Sequence, residues 1–175
     1  TQALLGYQLW QEDMDATSGG QAGGMRFQLH GLRLGYNWQI PFRSVRWMQH
    51  YGTELGFGTV KGQGAETSPI TDQLKDQTWI TGTFTPGIVY RSTSVSELGL
   101  LFPVAYRSIQ WKFTAGATLA IDDPALSIGV GGIFIHRFNQ RWSASAGFTH
   151  QVMWDANIWN IGLQYDFRKS PRRPR

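Results

Sequence analysis

Four histidines, His30, His50, His136 and His150, carry most of the chemistry open to this chain. Cysteine is absent, which removes a thiol nucleophile, a zinc–thiolate site and a disulfide framework. The histidines are widely separated and show no close His/Asp ligand spacing, so the sequence gives no metal site. A hydrolytic centre needs a base, a hydroxyl and an acid within hydrogen-bond reach. His150 shares an apolar strand face with Phe148 and Val152, while Ser143 and Ser145 fall on the opposite face. His136, next to Arg137, has no serine–acid partner on its own face. Asp122, Asp123 and Asp155 fall at turns, which short acidic side chains favour in their own right. No glycine-rich phosphate motif opens a helix. The expectation is a chain with no catalytic residues, no metal and no cofactor.

The elements that would hold these groups are strands. From 142 to 154, Trp142, Ala144, Ala146, Phe148, His150, Val152 and Trp154 alternate with Ser143, Ser145, Gly147, Thr149, Gln151 and Met153. From 158 to 168, Trp159, Ile161, Leu163, Tyr165 and Phe167 oppose Asn160, Gly162, Gln164, Asp166 and Arg168. Residues 109–121 alternate in the same way, and 47–59, 79–91 and 97–107 follow with more noise. This is period two, with one apolar face and one face of small polar residues. Strands at 3–13 and 126–138 are mixed in pattern. In 25–38 the apolar face changes sides near His30–Gly31, which predicts a bulge. Connections are short at 39–44, 92–95, 122–125, 139–141 and 155–157. They are long and polar at 15–24 and 61–77. An antiparallel meander follows.

Three features turn the apolar face toward lipid. The clean patterns run 11–13 residues, beyond the mean globular strand of about 5–6 and matched to the ~9–11 of a tilted membrane strand. The polar face is Gly, Ser, Thr, Gln and Asn, which suits a narrow enclosed lumen better than open water. Aromatic rings gather at strand ends: Trp38, Trp47, Trp111, Trp142, Trp154, Trp159, Tyr165 and Phe167 form the expected interfacial girdle. Closure into a barrel also pairs every backbone group in hydrocarbon. The fold expected is an all-β, antiparallel, up-and-down transmembrane barrel of about eight strands, with ten as the alternative, over residues 1–167. Inward titratable groups are His50, Glu54, Lys112 and Asp166, with Arg91 and Arg168 near strand ends. In a lumen this narrow they are expected to pair as a polar plug, because an unpaired buried ion is costly.

Leu163-Gln164-Tyr165-Asp166-Phe167 resembles the closing strand of bacterial outer-membrane barrels, which alternates apolar residues and ends in an aromatic. Phe138-Asn139-Gln140-Arg141-Trp142-Ser143 is similar to their tight periplasmic turns, and Phe84–Arg91 with Glu97–Leu100 to their mid-barrel hairpins. The resemblance covers most of the chain and implies an outer-membrane location with lipid bilayer and lipopolysaccharide as surroundings. It departs from that pattern in the eight residues that follow Phe167. Nine candidate strands are countable, whereas single-chain bacterial barrels use an even number. Segment 97–107, with Pro103 inside it, is the one expected not to span.

The net charge of +4 is a property of the tail. Residues 168–175 hold five cations and no acid, and the remaining chain, with 11 basic and 12 acidic residues, has a net charge of −1. The tail is expected to be disordered, and without interleaved aromatics it gives no nucleic-acid site. The function expected is a membrane-embedded structural or interaction scaffold, contacting a protein partner through 15–24 and 61–77. A narrow pore, a lipid-modifying enzyme and a soluble lipocalin-like carrier are the alternatives.

Overall fold

The computed structural model describes residues 1–18, 21–43, 46–63, 77–110, 120–121 and 124–167. Trp111, Lys112, residues 64–76 of the second long connection, and residues 168–175 lie outside the described residues. The elements are β1 (Gln2–Ser18), β2 (Gln21–Pro41), β3 (Trp47–Gln63), β4 (Gln77–Arg91), β5 (Ser96–Leu101), β6 (Val104–Gln110), β7 (Ala120–Ile121), β8 (Leu126–Arg137), β9 (Trp142–Gln151) and β10 (Ala156–Asp166). All pairings are antiparallel, and β10 closes on β1 from Gln2↔Asp166 to Glu12↔Ala156.

Ten segments make eight spanning strands: β5 and β6 are halves of one strand, and β7 is a two-residue ladder beside the end of β1. Leu101 pairs with Gly87 and Val104 with Phe84, an unbroken register against β4. Against β8, Leu101 pairs with Gly131 and Val104 with Ile128, again without a slip. The expectation that 97–107 does not span is therefore corrected. Pro103 is tolerated because the ladder continues around it. The Phe102 N–H donates to the Pro86 carbonyl (2.9 Å) and the Gly129 N–H to the Pro103 carbonyl (2.8 Å). Of the expected strand 109–121, residues 111–119 lie outside the described residues. Ile109 and Gln110 finish β6, Ala120–Ile121 pairs with Ala16 and Thr17 of β1, and β5–β6 lies directly beside β8.

Following Cα partners once around the ring from Gln110, through Thr78, Thr59, His30, Leu9, Trp159, Phe148 and Gly132, returns to the same strand at Leu100, ten residues lower. Eight strands with this shear tilt about 40° from the barrel axis, and the interior is just wide enough for side chains. Two further expectations are corrected by the register. β2 keeps one constant pairing with β1 and with β3 through His30–Gly31, so there is no bulge. Residues 15–18 and 21–24 are ladder residues, down to Ser18↔Gln21, and not a long loop. The polar, glycine-rich composition there marks strands rising beyond the hydrocarbon.

Connections 92–95 and 138–141 lie at one end, the tight-turn end, with Thr1, Pro41 and Phe167. Ser18, Gln21, Gln63, Gln77, Gln110 and the turn at 152–155 lie at the other, the loop end. Short turns face the periplasm in barrels of this kind. Odd positions of β4–β6 and β8 point inward, while Leu98, Leu100, Phe102, Val104, Tyr106, Leu126 and Ile128 point outward and are exposed.

Candidate functional site

The interior divides into three levels. At the tight-turn end, Glu97 is buried and accepts from Arg137 Nη2 (2.6 Å), from Arg91 Nε and Nη2 (both 3.2 Å) and from Gln39 Nε2 (3.1 Å). In the middle, Arg33 Nη2 donates to Glu54 Oε1 at 2.5 Å. A cavity of about 40 Å³ adjoins this pair, lined by Gln8, Asn37, His50, Thr85 and Gln151 among others. That volume accommodates about one or two waters. Gln8 Nε2, Asn37 Oδ1, His50 Nδ1 and Gln151 Oε1 are buried beside it without a partner among the described residues. At the loop end, Arg107 and Glu12 form a buried bidentate pair, one contact at 2.9 Å between Nη2 and Oε1 and the other between Nη1 and Oε2.

That upper pair lies within an aromatic plug. Trp10 stacks on Trp154 (centroids 5.1 Å) and tilts against Trp79 (5.6 Å), with Phe27, Leu29, Ala156 and Ile158 around them. The Arg107 guanidinium lies 4.4 Å from the Trp154 ring centroid and 5.7 Å from that of Trp10. Gly31 gives the Trp79 ring its space, since a Cβ there would collide with the ring and with the Phe57 carbonyl. Trp154 is thus an interior residue and not part of an outer girdle. The turn at 152–155, with Asp155 at φ 44°, interrupts the alternation and folds Trp154 back over the mouth. Its indole N–H donates to the Pro124 carbonyl (2.6 Å).

The other described girdle positions lie on the outer wall, Trp111 being outside the described residues. Trp47 packs on Tyr90 (4.8 Å), Trp142 on Tyr165 (5.0 Å), Tyr165 on Phe167 (5.1 Å) and Trp38 on Tyr51 (5.7 Å), all toward the tight-turn end. Trp159 packs on Phe148 (4.5 Å) nearer the loop end. Of the inward set, His50 and Glu54 line the same central cavity, and Asp166 is buried at the tight-turn rim opposite Gln2. Glu54 takes Arg33 as its partner, and Arg91 takes Glu97.

Glu12, Arg33, Glu97, Arg107 and Arg137 are interior charges outside the inward set expected from the sequence. Parity alone places Glu97 and Arg107 on the face of Gly99, Leu101, Pro103 and Ala105. The supposed bulge hid Arg33, which a strict period counted from Leu32, Leu34 and Tyr36 puts inside.

On the outer wall, His150 Nδ1 lies 3.2 Å from Asn157 Oδ1, and its Nε2 lies 4.0 Å from Asp155. Its outward neighbours are Phe148 and Val152 along the chain and Val130 across it. Ser143 and Ser145 are buried inside. His136, contrary to expectation, does meet a serine: its Nδ1 is 3.2 Å from Ser96 Oγ, while Glu97 on the next residue turns inward. No cluster of three His, Asp or Glu residues able to hold a metal occurs among the described residues.

The fold and this outer wall define the class: an eight-stranded β-barrel of the bacterial outer membrane. The greasy exterior sets aside the soluble carrier. No family model matches the chain, and no curated protein matches it in sequence. Solved structures match across nearly its whole length. OprG from Pseudomonas aeruginosa is similar at TM-score 0.55 and 10% identity, covering 96% of each chain. Ail, the attachment invasion locus protein of Yersinia pestis, is similar at 0.54 and 13%, covering 94% of this chain and 97% of its own. Neisserial surface protein A is similar at 0.51 and 10%, with the same coverage as Ail.

Proposed function

We propose that the protein is a non-catalytic, non-conducting scaffold of the outer membrane that presents its loop end to a partner. The observation that carries this reading is the sealed interior. Three indoles and a desolvated ion pair fill the loop end, and the Glu97–Arg91–Arg137 cluster fills the other. Ions crossing such a lumen would have to displace both. The height of β1–β3 supports the interaction role. These strands have 17, 21 and 17 residues, against 10 in β9 and 11 in β10. A tilted strand crosses hydrocarbon in about 9–11, so one side of the barrel carries its hairpins well beyond the bilayer. The partner surface is this raised rim with residues 61–77. A non-catalytic role agrees with the surroundings of His150, whose outward neighbours supply no hydroxyl.

Planar-bilayer recording tests the sealed lumen. A flat current is expected, and steady single-channel steps would favour the pore reading. Incubation with labelled lipopolysaccharide and phospholipid tests the absence of catalysis, with unchanged substrate expected.

A further inference from the structure

Most glycines in this barrel have a steric reason. At Gly56, for example, an added Cβ would lie 2.6 Å from both Gln8 Nε2 and Thr81 Oγ1. Gly132 has no such reason. It faces outward from β8, and a Cβ there would meet only the Gly99 carbonyl, at an ordinary 3.6 Å. The missing side chain opens a notch in the outer wall. The missing side chain of Gly82 does the same in a second groove of about 630 Å³, beside Leu55, Phe84 and Tyr106. Only the notch at Gly132 has His150 and Asn157 at its loop end. Ala146 on β9 lengthens the floor, and Phe134, Phe148, Trp159, Ile161 and Leu98 form the sides of a groove of about 630 Å³.

The groove itself is lined almost wholly by apolar groups, and a polar cluster stands just beyond its loop end. Two residues beyond Phe148 on the same outward face stands His150. Two residues before Trp159 stands Asn157. These two are cross-strand partners and hydrogen-bond to each other at 3.2 Å. Gln11, the partner of Asn157 on β1, extends the polar cap. The cap lies on the loop-end side, and the apolar trough runs from it toward the tight turns. An amphiphile seated there has its hydrogen-bonding head at the level of His150 and its chain pointing to the bilayer centre. The groove is continuous with the lipid-contacting wall, so its occupant comes from the leaflet on the loop side, which in an outer membrane is the glycolipid leaflet.

We infer that the trough floored by Gly132 and Ala146 binds one acyl chain of an outer-leaflet glycolipid, with His150, Asn157 and Gln11 hydrogen-bonding its sugar–phosphate head. This goes beyond the scaffold reading and stands on different residues. The bound lipid is a fixed part of the membrane-embedded surface.

Native mass spectrometry of the barrel, reconstituted with rough lipopolysaccharide and with phosphatidylglycerol as competitor, tests it. The wild type is expected to retain one lipopolysaccharide molecule in preference to phosphatidylglycerol. Gly132→Leu, which only adds an apolar side chain to a lipid-facing position, is expected to lower that occupancy at least fivefold. His150→Ala with Asn157→Ala is expected to keep a bound lipid but lose the preference. Gly82→Leu is the control: it fills another outward glycine, whose Cβ would meet only Leu55 at 4.0 Å, and is expected to change nothing. A heat-modifiability gel reports folding of each variant. Equal occupancy in wild type and Gly132→Leu, an equal loss in Gly82→Leu, equal retention of phosphatidylglycerol, or a lipid-free dimer would each overturn the inference.

Discussion

The two ends of the lumen solve one problem differently. Both hold a glutamate against arginine. At the loop end, Arg107 and Glu12 are cut off from solvent at 0% and 2% side-chain exposure, with indoles over the guanidinium. At the tight-turn end, Glu97 is equally buried, but Arg91 and Arg137 keep 31% and 22% of their side chains exposed. The upper pair has exchanged water for aromatic faces, whereas the lower cluster keeps part of its hydration. A buried pair depends on both members being present, because a lone desolvated charge has nothing to offset its burial. A half-wet cluster has water to fall back on. The same ionic chemistry thus forms a rigid seal at one end and a softer closure at the other.

The largest effect is expected from splitting the upper pair. Glu12→Ala or Arg107→Ala should destabilise the barrel by about 3–5 kcal/mol in urea titrations followed by tryptophan fluorescence. Replacing both with Leu and Met should recover much of the loss, and failure to recover would show that the pair does more than neutralise itself. Next comes Trp154→Ala, which empties a packed site and should cost about 3–5 kcal/mol. Glu97→Gln should cost about 1.5–3 kcal/mol, with a deficit that shrinks as ionic strength rises. A deficit as large and as salt-insensitive as that of Glu12→Ala would erase the contrast between the ends. Smallest is Trp142→Ala on the outer wall, where loss of the Tyr165 ring contact should cost about 1 kcal/mol. Trp142 and Trp154 stand twelve residues apart, and the difference between them is which side of the wall they face.

That pair also shows what the sequence made legible. The lipid-facing wall follows from strict alternation in Leu98, Leu100, Phe102, Val104 and Tyr106, because hydrocarbon demands one kind of side chain over the whole span. The closed antiparallel barrel and the inward placement of His50, Glu54 and Asp166 follow from the same period. The loop-end interior did not follow, because Trp10, Phe27, Leu29 and Trp79 are apolar on the inside. Where both faces are greasy, parity loses its contrast, and β2 looked like a bulge when its ladder is regular. Ion pairs were missed for a related reason. Glu12 and Arg107 come from strands 95 residues apart in sequence, and only the register of the closed ring brings them together.

The central proposition is that this wall faces acyl chains on one side and a filled lumen on the other. The most direct measurement is a nitroxide scan through residues 96–110 of the barrel in bilayers, reading collision with molecular oxygen against a polar nickel chelate. Oxygen accessibility should peak at Leu98, Leu100, Phe102, Val104 and Tyr106 and fall at Glu97, Leu101, Pro103, Ala105 and Arg107, with the alternation continuous through Pro103. An inverted pattern, or one lost beyond Leu101, would contradict both the lipid-facing wall and the eight-stranded ring.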